Sequence, residues 1–361
     1  MRTLPDRQIL GNLAVSRLQQ VVAWTSLRNG CNPYLAKIRF RLDKNLYLLE
    51  DAHLMATTPT DPIPAPSGYE KAIVTFIDIL GFRRLLATRD AGQILEILSL
   101  LRNYTRGDGH EEPISNRLDE LRLYSQSFSE SVSDAVVRVR TTETQSQDGP
   151  FLYELLNLMH AQIQCLNRGI LIRGGLTIGD VHVGIDGSGP VFGPAMVRAY
   201  EIEQNEAVYP RITIDEAAVE AFLDDPFLWQ EGQFDENDLE MARRYIAVGE
   251  DGCYFLDYLA AADAGEFDEG EIGQFSFLMR HRDLIETELQ SVSGKERRKL
   301  IWLANYHNRF VADLRTRYDM TDASGEFIAL LAVTPAELFD SLHISGSWLR
   351  FGDRLQDLVQ R

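Results

Sequence analysis

The feature that most constrains the fold is the order of periodicities between Tyr69 and Tyr258. Lys71–Asp78 is strand-like with a buried character, apolar almost to its end. Phe82 to Tyr104 carries helical spacing at Leu85, Leu86, Ile94, Ile97, Leu98 and Leu101. A polar loop from Arg106 to Asn116 follows. Then come two strand-like runs, Leu121–Ser129 and Ala135–Arg140, joined by Glu130-Ser131-Val132-Ser133-Asp134. Phe151 to Asn167 predicts a helix, and Gly169 to Ile178 a strand rich in β-branched residues and glycine. Val191 to Val208 predicts a helix and Arg211–Ile214 a short strand. A further helix is expected over Asp215–Leu223, with Asp215 as its N-cap. Strand–helix–strand–strand–helix–strand is the split βαβ order, in which the first strand lies beside the later hairpin.

That order predicts an α+β domain of ferredoxin-like type over residues 69–258, with helical additions on both sides. Residues 1–56 have helical spacing at Leu10, Leu13, Ala14, Leu18, Val21 and Val22. Residues 57–68 form a linker whose four prolines forbid helix and favour an extended spacer. Residues 274–361 predict a C-terminal helical region, amphipathic over Arg280–Ser291 and Lys295–Tyr318. The longest apolar runs, Ala72–Ile79 and Ile170–Ile178, are strand-length and far too short to cross a membrane. The first residues lack an apolar signal core, so a cytoplasmic location without a membrane partner is expected. Cys31, Cys165 and Cys253 show no ligand spacing, which argues against zinc and fits a reducing compartment. The 361-residue chain has 54 acidic and 36 basic side chains, a formal charge of −18. Such a surface repels nucleic-acid backbone. It does not exclude a small polyphosphate held through metal ions on carboxylates.

Two carboxylates stand out. Asp78 ends the apolar run Ile73-Val74-Thr75-Phe76-Ile77-Asp78-Ile79, where an uncompensated charge is costly to bury. Asp134 occupies the hairpin turn, and the split βαβ order brings that hairpin beside the first strand. Paired carboxylates repel unless cations lie between them, which is how two-metal phosphoryl-transfer sites are built. Ile79-Leu80-Gly81-Phe82 turns strand into helix, where free N–H groups suit a phosphate and Gly81 allows a tight approach. The plainer alternative has Asp78 capping the helix and Asp134 decorating a hairpin.

Thr75-Phe76-Ile77-Asp78-Ile79-Leu80-Gly81-Phe82 resembles the first metal motif of class III nucleotidyl cyclases, and Ser133-Asp134-Ala135 their second. Leu171-Ile172-Arg173-Gly174-Gly175-Leu176-Thr177-Ile178-Gly179 resembles the strand before their dimer arm. Val191-Phe192-Gly193 and the helix ending in Glu201-Ile202-Glu203 resemble their late catalytic helix. Four segments are similar, more narrowly, to the Pycsar pyrimidine cyclases of bacterial antiphage defence. They are Ile172-Arg173-Gly174-Gly175, Ala199-Tyr200-Glu201, Tyr209-Pro210-Arg211-Ile212 and Trp302-Leu303-Ala304-Asn305-Tyr306-His307-Asn308. The resemblance covers about Tyr69 to Ala312.

This resemblance implies a nucleotidyl cyclase working with two divalent ions, Mn²⁺ or Mg²⁺, on Asp78, Asp134 and the carbonyl of Ile79. Phe76, Leu80, Gly81 and Phe82 would line the nucleotide. It implies UTP ahead of CTP as substrate, cyclic UMP as product, a homodimer with sites between subunits, and a separate effector for the product. The departures from purine cyclases point the same way. Their base-reading lysine is Glu130 here, and their base-reading aspartate is Pro190. A glutamate can accept from the N3–H of uracil or the amino group of cytosine, so Glu130 is a candidate base reader. An exposed strand-end glutamate is the alternative. The asparagine and arginine of the late helix are replaced by Val197 and Glu201. Arg173 and Arg198, with Arg211 third, are the candidates for steadying the transition state. A catalytically silent nucleotide-binding module of the same fold is the competing reading. A diguanylate-cyclase-like enzyme fits poorly, because its hairpin motif Gly-Gly-Asp-Glu-Phe is Ser-Val-Ser-Asp-Ala here.

Overall fold

The structure is a computed structural model that describes residues 69–106, 125, 127–142, 148–183, 190–230, 236–262, 265, 267, 270–319 and 334–345. The expected N-terminal helical segment (1–56) and the linker (57–68) lie outside the described residues, as does most of the polar loop. The chain divides into two compact units. One comprises Pro66–Ala261 together with Ser291–Leu303; the described parts of the other fall in Ala262–Gln290 and Ala304–Arg361. The stretch 291–303, expected with the C-terminal helical region, thus belongs to the unit that holds the sheet.

That unit contains β1 (Glu70–Ile79), α1 (Phe82–Thr88), α2 (Ala91–Tyr104), β2 (Ser127–Val132), β3 (Ala135–Thr141), α3 (Pro150–Asn167) and β4 (Ile172–Val181). It continues with α4 (Pro194–Asn205), β5 (Ile212–Ile214), α5 (Glu216–Asp224), α6 (Glu236–Tyr245), β6 (Ile246–Val248), β7 (Tyr254–Leu256) and α7 (Tyr258–Ala261). The seven strands are ordered β2-β3-β1-β4-β5-β7-β6. β1 runs antiparallel to both β3 and β4, and β2 antiparallel to β3. The first four strands therefore form the ferredoxin-like split βαβ sheet of an α+β domain. β5 joins β4 in parallel, and the β6–β7 pair extends that edge. These last two strands have three residues each, too few to set up a legible alternation.

Alternation along β1 divides its side chains between two faces. Ala72, Val74 and Phe76 pack with Val137, Val139 and Val181 against Ala195 and Ala199 of α4. On the other face Ile73, Ile77 and Ile79 are buried. There Arg138 and Arg140 of β3 reach Glu154 of α3 at 2.8 and 2.9 Å. α4 rests almost directly on β4. A Cβ at Gly175 would lie 2.4 Å from the Ala199 carbonyl oxygen and 2.8 Å from the Glu203 nitrogen, so this close approach requires glycine.

Two local expectations change. The helix expected over Phe82–Tyr104 is two helices, because Asp90 starts a new one. Its Oδ1 accepts from the Gln93 N–H at 2.9 Å, while the Gln93 side chain accepts from the Asp90 N–H at 3.2 Å. That is a capping box. Asp215 does stand at the N-cap of α5 but makes no side-chain cap bond. Its carboxylate instead accepts from Thr177 at 2.7 Å and from Arg198 at 2.9 and 3.1 Å. The fork of the Arg198 guanidinium adds an opposite charge that a helix amide lacks.

The second unit holds most of α8 (Glu271–Ser291) and α9 (Gly294–Asp319), and all of α10 (Pro335–Leu342). His281 and His307 meet at 2.9 Å through their Nδ1 atoms, and His307 Nε2 is 2.9 Å from the Leu342 carbonyl oxygen. Asn308 exchanges two hydrogen bonds with the backbone of Ile344. His307 and Asn308, part of the motif quoted above, thus pin the end of α10. Burial pushes His307 down to about 4, which keeps the imidazole neutral. Among the described residues no helix is long and apolar enough to cross a membrane.

Candidate active site

The site grows out of strand register. Asp78 stands opposite Ala135 of β3 and opposite Arg173 of β4. The β2–β3 hairpin closes with Ser133-Asp134 between the paired residues Val132 and Ala135. Ser133 takes φ +59°, the left-handed conformation that two-residue hairpin turns demand at their first position. This turn delivers Asp134 to the end of β1, close enough for its carboxyl to raise the pKa of Asp78. The two aspartates nominated from sequence are therefore neighbours.

A third acid joins them, one not assigned from sequence. Glu203 of α4 is fully buried and interacts with Asp78 and with Arg173. The buried stripe of α4 is Ala195, Ala199, Ile202 and Glu203, so a glutamate lies on the apolar face of an amphipathic helix. That misplaced charge was the available signal. Arg173 Nη2 lies 2.5 Å from Glu203 Oε1 and 3.4 Å from Asp78 Oδ2. Two of the three carboxyls thus share one guanidinium, and the cluster carries an excess of two negative charges when all are ionised.

The electrostatics follow from that count. Burial, then the charges of Glu203 and Asp134, raise Asp78 to about 7, against the opposing pull of Arg173. Burial likewise pushes Glu203 up, with Arg173 pulling the other way. Carboxyls this crowded suit a divalent cation. Among the described residues no three His, Cys, Asp or Glu side chains enclose a position for one ion. The fit is to a carboxylate pair that leaves further coordination to water and substrate phosphates, the usual manner of Mg²⁺.

The other nominated residues fall into three groups. Glu130, Val137, Phe76 and Gly175 make one transverse row of the sheet, on the same face as Asp78 and one row away. Glu130 Oε2 accepts from the Val191 N–H at 3.0 Å, and Phe76 meets Tyr200 edge-to-face at 5.3 Å. Ile79 follows Asp78 with its side chain buried on the opposite face. Gly81 takes φ +80° at the N-cap of α1, which has no side-chain cap and begins with Phe82. The Leu80 N–H donates to the Leu171 carbonyl at 2.8 Å, so that amide is taken up within the fold.

Arg198 belongs elsewhere, paired with Asp215 and Glu206 at 2.9 and 2.7 Å. The structure does not bring it into the Asp78 group. Arg211 is fully buried among Tyr209, Phe255 and Trp302, and pairs with Asp251 at 2.5 Å. Tyr209 and Trp302, from two of the quoted motifs, stack at 4.8 Å. Of the three nominated arginines, Arg173 is the one that contacts Asp78.

No protein-family model and no curated protein matches the chain. Among solved structures, the guanylyl cyclase Cya2 matches 43% of this chain and 80% of its own at 16% identity, with a TM-score of 0.28. The guanylyl cyclase domain of the RhoGC fusion protein from the aquatic fungus Blastocladiella emersonii, in a monomeric double-mutant structure, is also similar. It matches 44% of this chain and 85% of its own at 17% identity, again with a TM-score of 0.28. With similarity at that level, the fold stands on this chain's own strand order and register.

Proposed function

We propose that the chain is a metal-dependent nucleotidyl cyclase acting on a pyrimidine triphosphate, UTP ahead of CTP. The observation that carries this reading is the Asp78–Asp134–Glu203 cluster, three acids set against one arginine at the end of β1. Asp78, Asp134 and the Ile79 carbonyl would hold two divalent ions, Mn²⁺ or Mg²⁺. Bound there, such ions lower the pKa of a ribose hydroxyl and offset the charge of a triphosphate. The 3′-oxygen forms a bond to the α-phosphorus while the bond to the β-phosphate oxygen breaks, and pyrophosphate leaves. The chain's own residues mainly position the reactants.

Glu130 is the proposed base reader. The Val191 N–H fixes one of its oxygens, leaving the other to accept from uracil N3–H. Phe76 lies in the same row, and two residues along a strand is about 7 Å, so a base there reaches the carboxylate cluster. Phe82 at the start of α1 would supply backbone donors. In this proposal the protein is a cytoplasmic homodimer that completes its sites between subunits, and its cyclic nucleotide acts on a separate effector in antiphage defence.

The test is incubation with each of the four NTPs and Mn²⁺, with products separated by HPLC. Cyclic UMP and pyrophosphate are expected from UTP, and neither from Asp78→Ala. Cyclic AMP as main product would overturn the reading of Glu130. Nucleotide binding without pyrophosphate release would favour a silent module, a reading supported by the carboxylate partners that already occupy Arg173 and Arg198.

A further inference from the structure

Arg173 is contested. It stands directly across the β1–β4 pair from Asp78, where a guanidinium would ordinarily close on the carboxylate in a two-pronged ion pair. It closes only loosely. Its Nη2 donates a single long hydrogen bond to Asp78 Oδ2 at 3.4 Å and makes an ion-pair contact with Glu203 Oε1 at 2.5 Å, while its Nη1 donates to the Ala207 carbonyl oxygen at 3.4 Å. Its buried Nε and the facing Glu203 Oε1 both lack a hydrogen-bond partner, so charge attraction and not a hydrogen bond holds the guanidinium beside Glu203.

Glu203 is itself held in place beside Arg173. Gln204 Nε2 donates to Glu203 Oε2 at 2.6 Å, fixing the oxygen that Arg173 does not use. The backbone of α4 at Glu203 is pressed onto β4 at Gly175, so the carboxyl cannot withdraw with the helix.

We propose that Glu203 is a positioning residue that draws Arg173 away from Asp78 and thereby keeps Asp78 open to a divalent cation. The proposal rests on reading Asp78 and Asp134 as a cation-binding pair. Arg173 and Glu203 cancel each other, leaving two aspartates to face the ion. Without Glu203, Arg173 turns to Asp78 and takes up the charge that the cation needs. A glutamate serving only as a structural counter-ion for Arg173 would leave cation affinity untouched by this exchange.

The test is a double-mutant cycle on Mn²⁺ binding to the full chain without nucleotide, followed by electron paramagnetic resonance of the free ion. The four proteins are wild type, Glu203→Gln, Arg173→Gln and the double variant, with melting temperatures as the fold control. Glu203→Gln should weaken Mn²⁺ binding by roughly tenfold or more, the usual effect of losing a residue that orients a metal ligand. Arg173→Gln should change affinity by less than about twofold in wild type, within the additivity limit. In the Glu203→Gln background the same change should restore most of the lost affinity. Equal effects of Arg173→Gln in both backgrounds would overturn the proposal, since the two charges would then act independently. Wild-type affinity in folded Glu203→Gln would overturn it too. Should Glu203→Gln fail to fold, Glu203→Asp keeps the charge but retreats from Arg173 by one methylene. It should bind Mn²⁺ more weakly than wild type, and unchanged binding would count against the proposal. A wild type that binds no Mn²⁺ removes the cation pair and this inference together. An intact binding cycle in a protein that cyclises nothing sustains the inference and removes the cyclase.

Discussion

Glu154 and Asp78 lie on opposite faces of the same sheet, and each meets arginine, yet their acidities move in opposite directions. Burial alone would raise both. Glu154 is nonetheless pushed down to about 2, because Arg138 and Arg140 surround it with two charges and several hydrogen bonds. Asp78 is pushed up to about 7, because Glu203 and Asp134 add to its burial and Arg173 cannot offset them. The difference is one of charge count. Two guanidiniums share one carboxylate under α3, whereas beside α4 one guanidinium contacts two carboxyls and a third, Asp134, acts on both of them. The first cluster is complete, and Arg138 sends its spare N–H groups to the carbonyls of Thr105 and Arg106. The second carries more carboxyls than cationic side chains, an imbalance that the proposed cation-binding role would use.

The comparison is broken most sharply by removing each acid in turn. If the proposed cyclase activity holds, Asp78→Ala should lower turnover by about a thousandfold or more, since several kcal/mol of transition-state stabilisation would depend on the ions it is proposed to hold. The same variant should melt no lower than wild type, because it relieves repulsion. A clear loss of thermal stability would place Asp78 with the structural acids. Glu154→Gln should do the reverse. Uncompensated buried charge costs about 3–5 kcal/mol, and a unit of this size loses about 2–4 °C per kcal/mol. Calorimetry reads this directly, and an unshifted melting temperature would show that Arg138 and Arg140 do not depend on Glu154. Gly175→Ala is gentler, costing about 1–3 kcal/mol as α4 lifts from β4. It should weaken Mn²⁺ binding through Glu203 while leaving the Glu154 side of the sheet unchanged, as hydrogen exchange in α3 can check.

How much of this was legible depends on whether a feature is set by neighbours in sequence or in space. The first four strands announce themselves by apolar and β-branched runs, and their order alone predicts that the Asp134 turn meets the end of β1. The capping box at Asp90 was equally present in the sequence, but apolar spacing running across it concealed the break. Glu203 was visible as a charge on an apolar stripe, though not what it would touch. The choice among Arg173, Arg198 and Arg211 was not legible. Each lies near acids, and only packing decides that Arg198 meets Asp215, that Arg211 is enclosed by Tyr209, Phe255 and Trp302, and that Arg173 faces Asp78.

The smallest effect expected is a pair of opposed pH dependences in the metal-free chain. Glu154 has its acidity strengthened by folding, from 4.5 to about 2. Its stabilisation is fully present above pH 4.5 and is lost as pH falls through about 2. Asp78 has its acidity weakened by folding, from 3.8 to about 7. The folded state holds its proton more tightly, so that contribution is present below pH 3.8 and is lost as pH rises through about 7. Thermal melts with chelator present should therefore decline by a few degrees between pH 5 and pH 8. The general self-repulsion of an acidic chain adds to that decline, so the informative quantity is the difference between wild type and Asp78→Asn. The variant should lose part of the slope between pH 5 and pH 8 and keep the whole of the loss below pH 4.5, whereas Glu154→Gln should do the opposite. Mn²⁺ at pH 8 should restore the wild type and leave Asp78→Asn where it is, because the cation does at high pH what the proton does at low pH. An identical slope in wild type and Asp78→Asn would mean that the charge imbalance under α4 is already relieved within the fold.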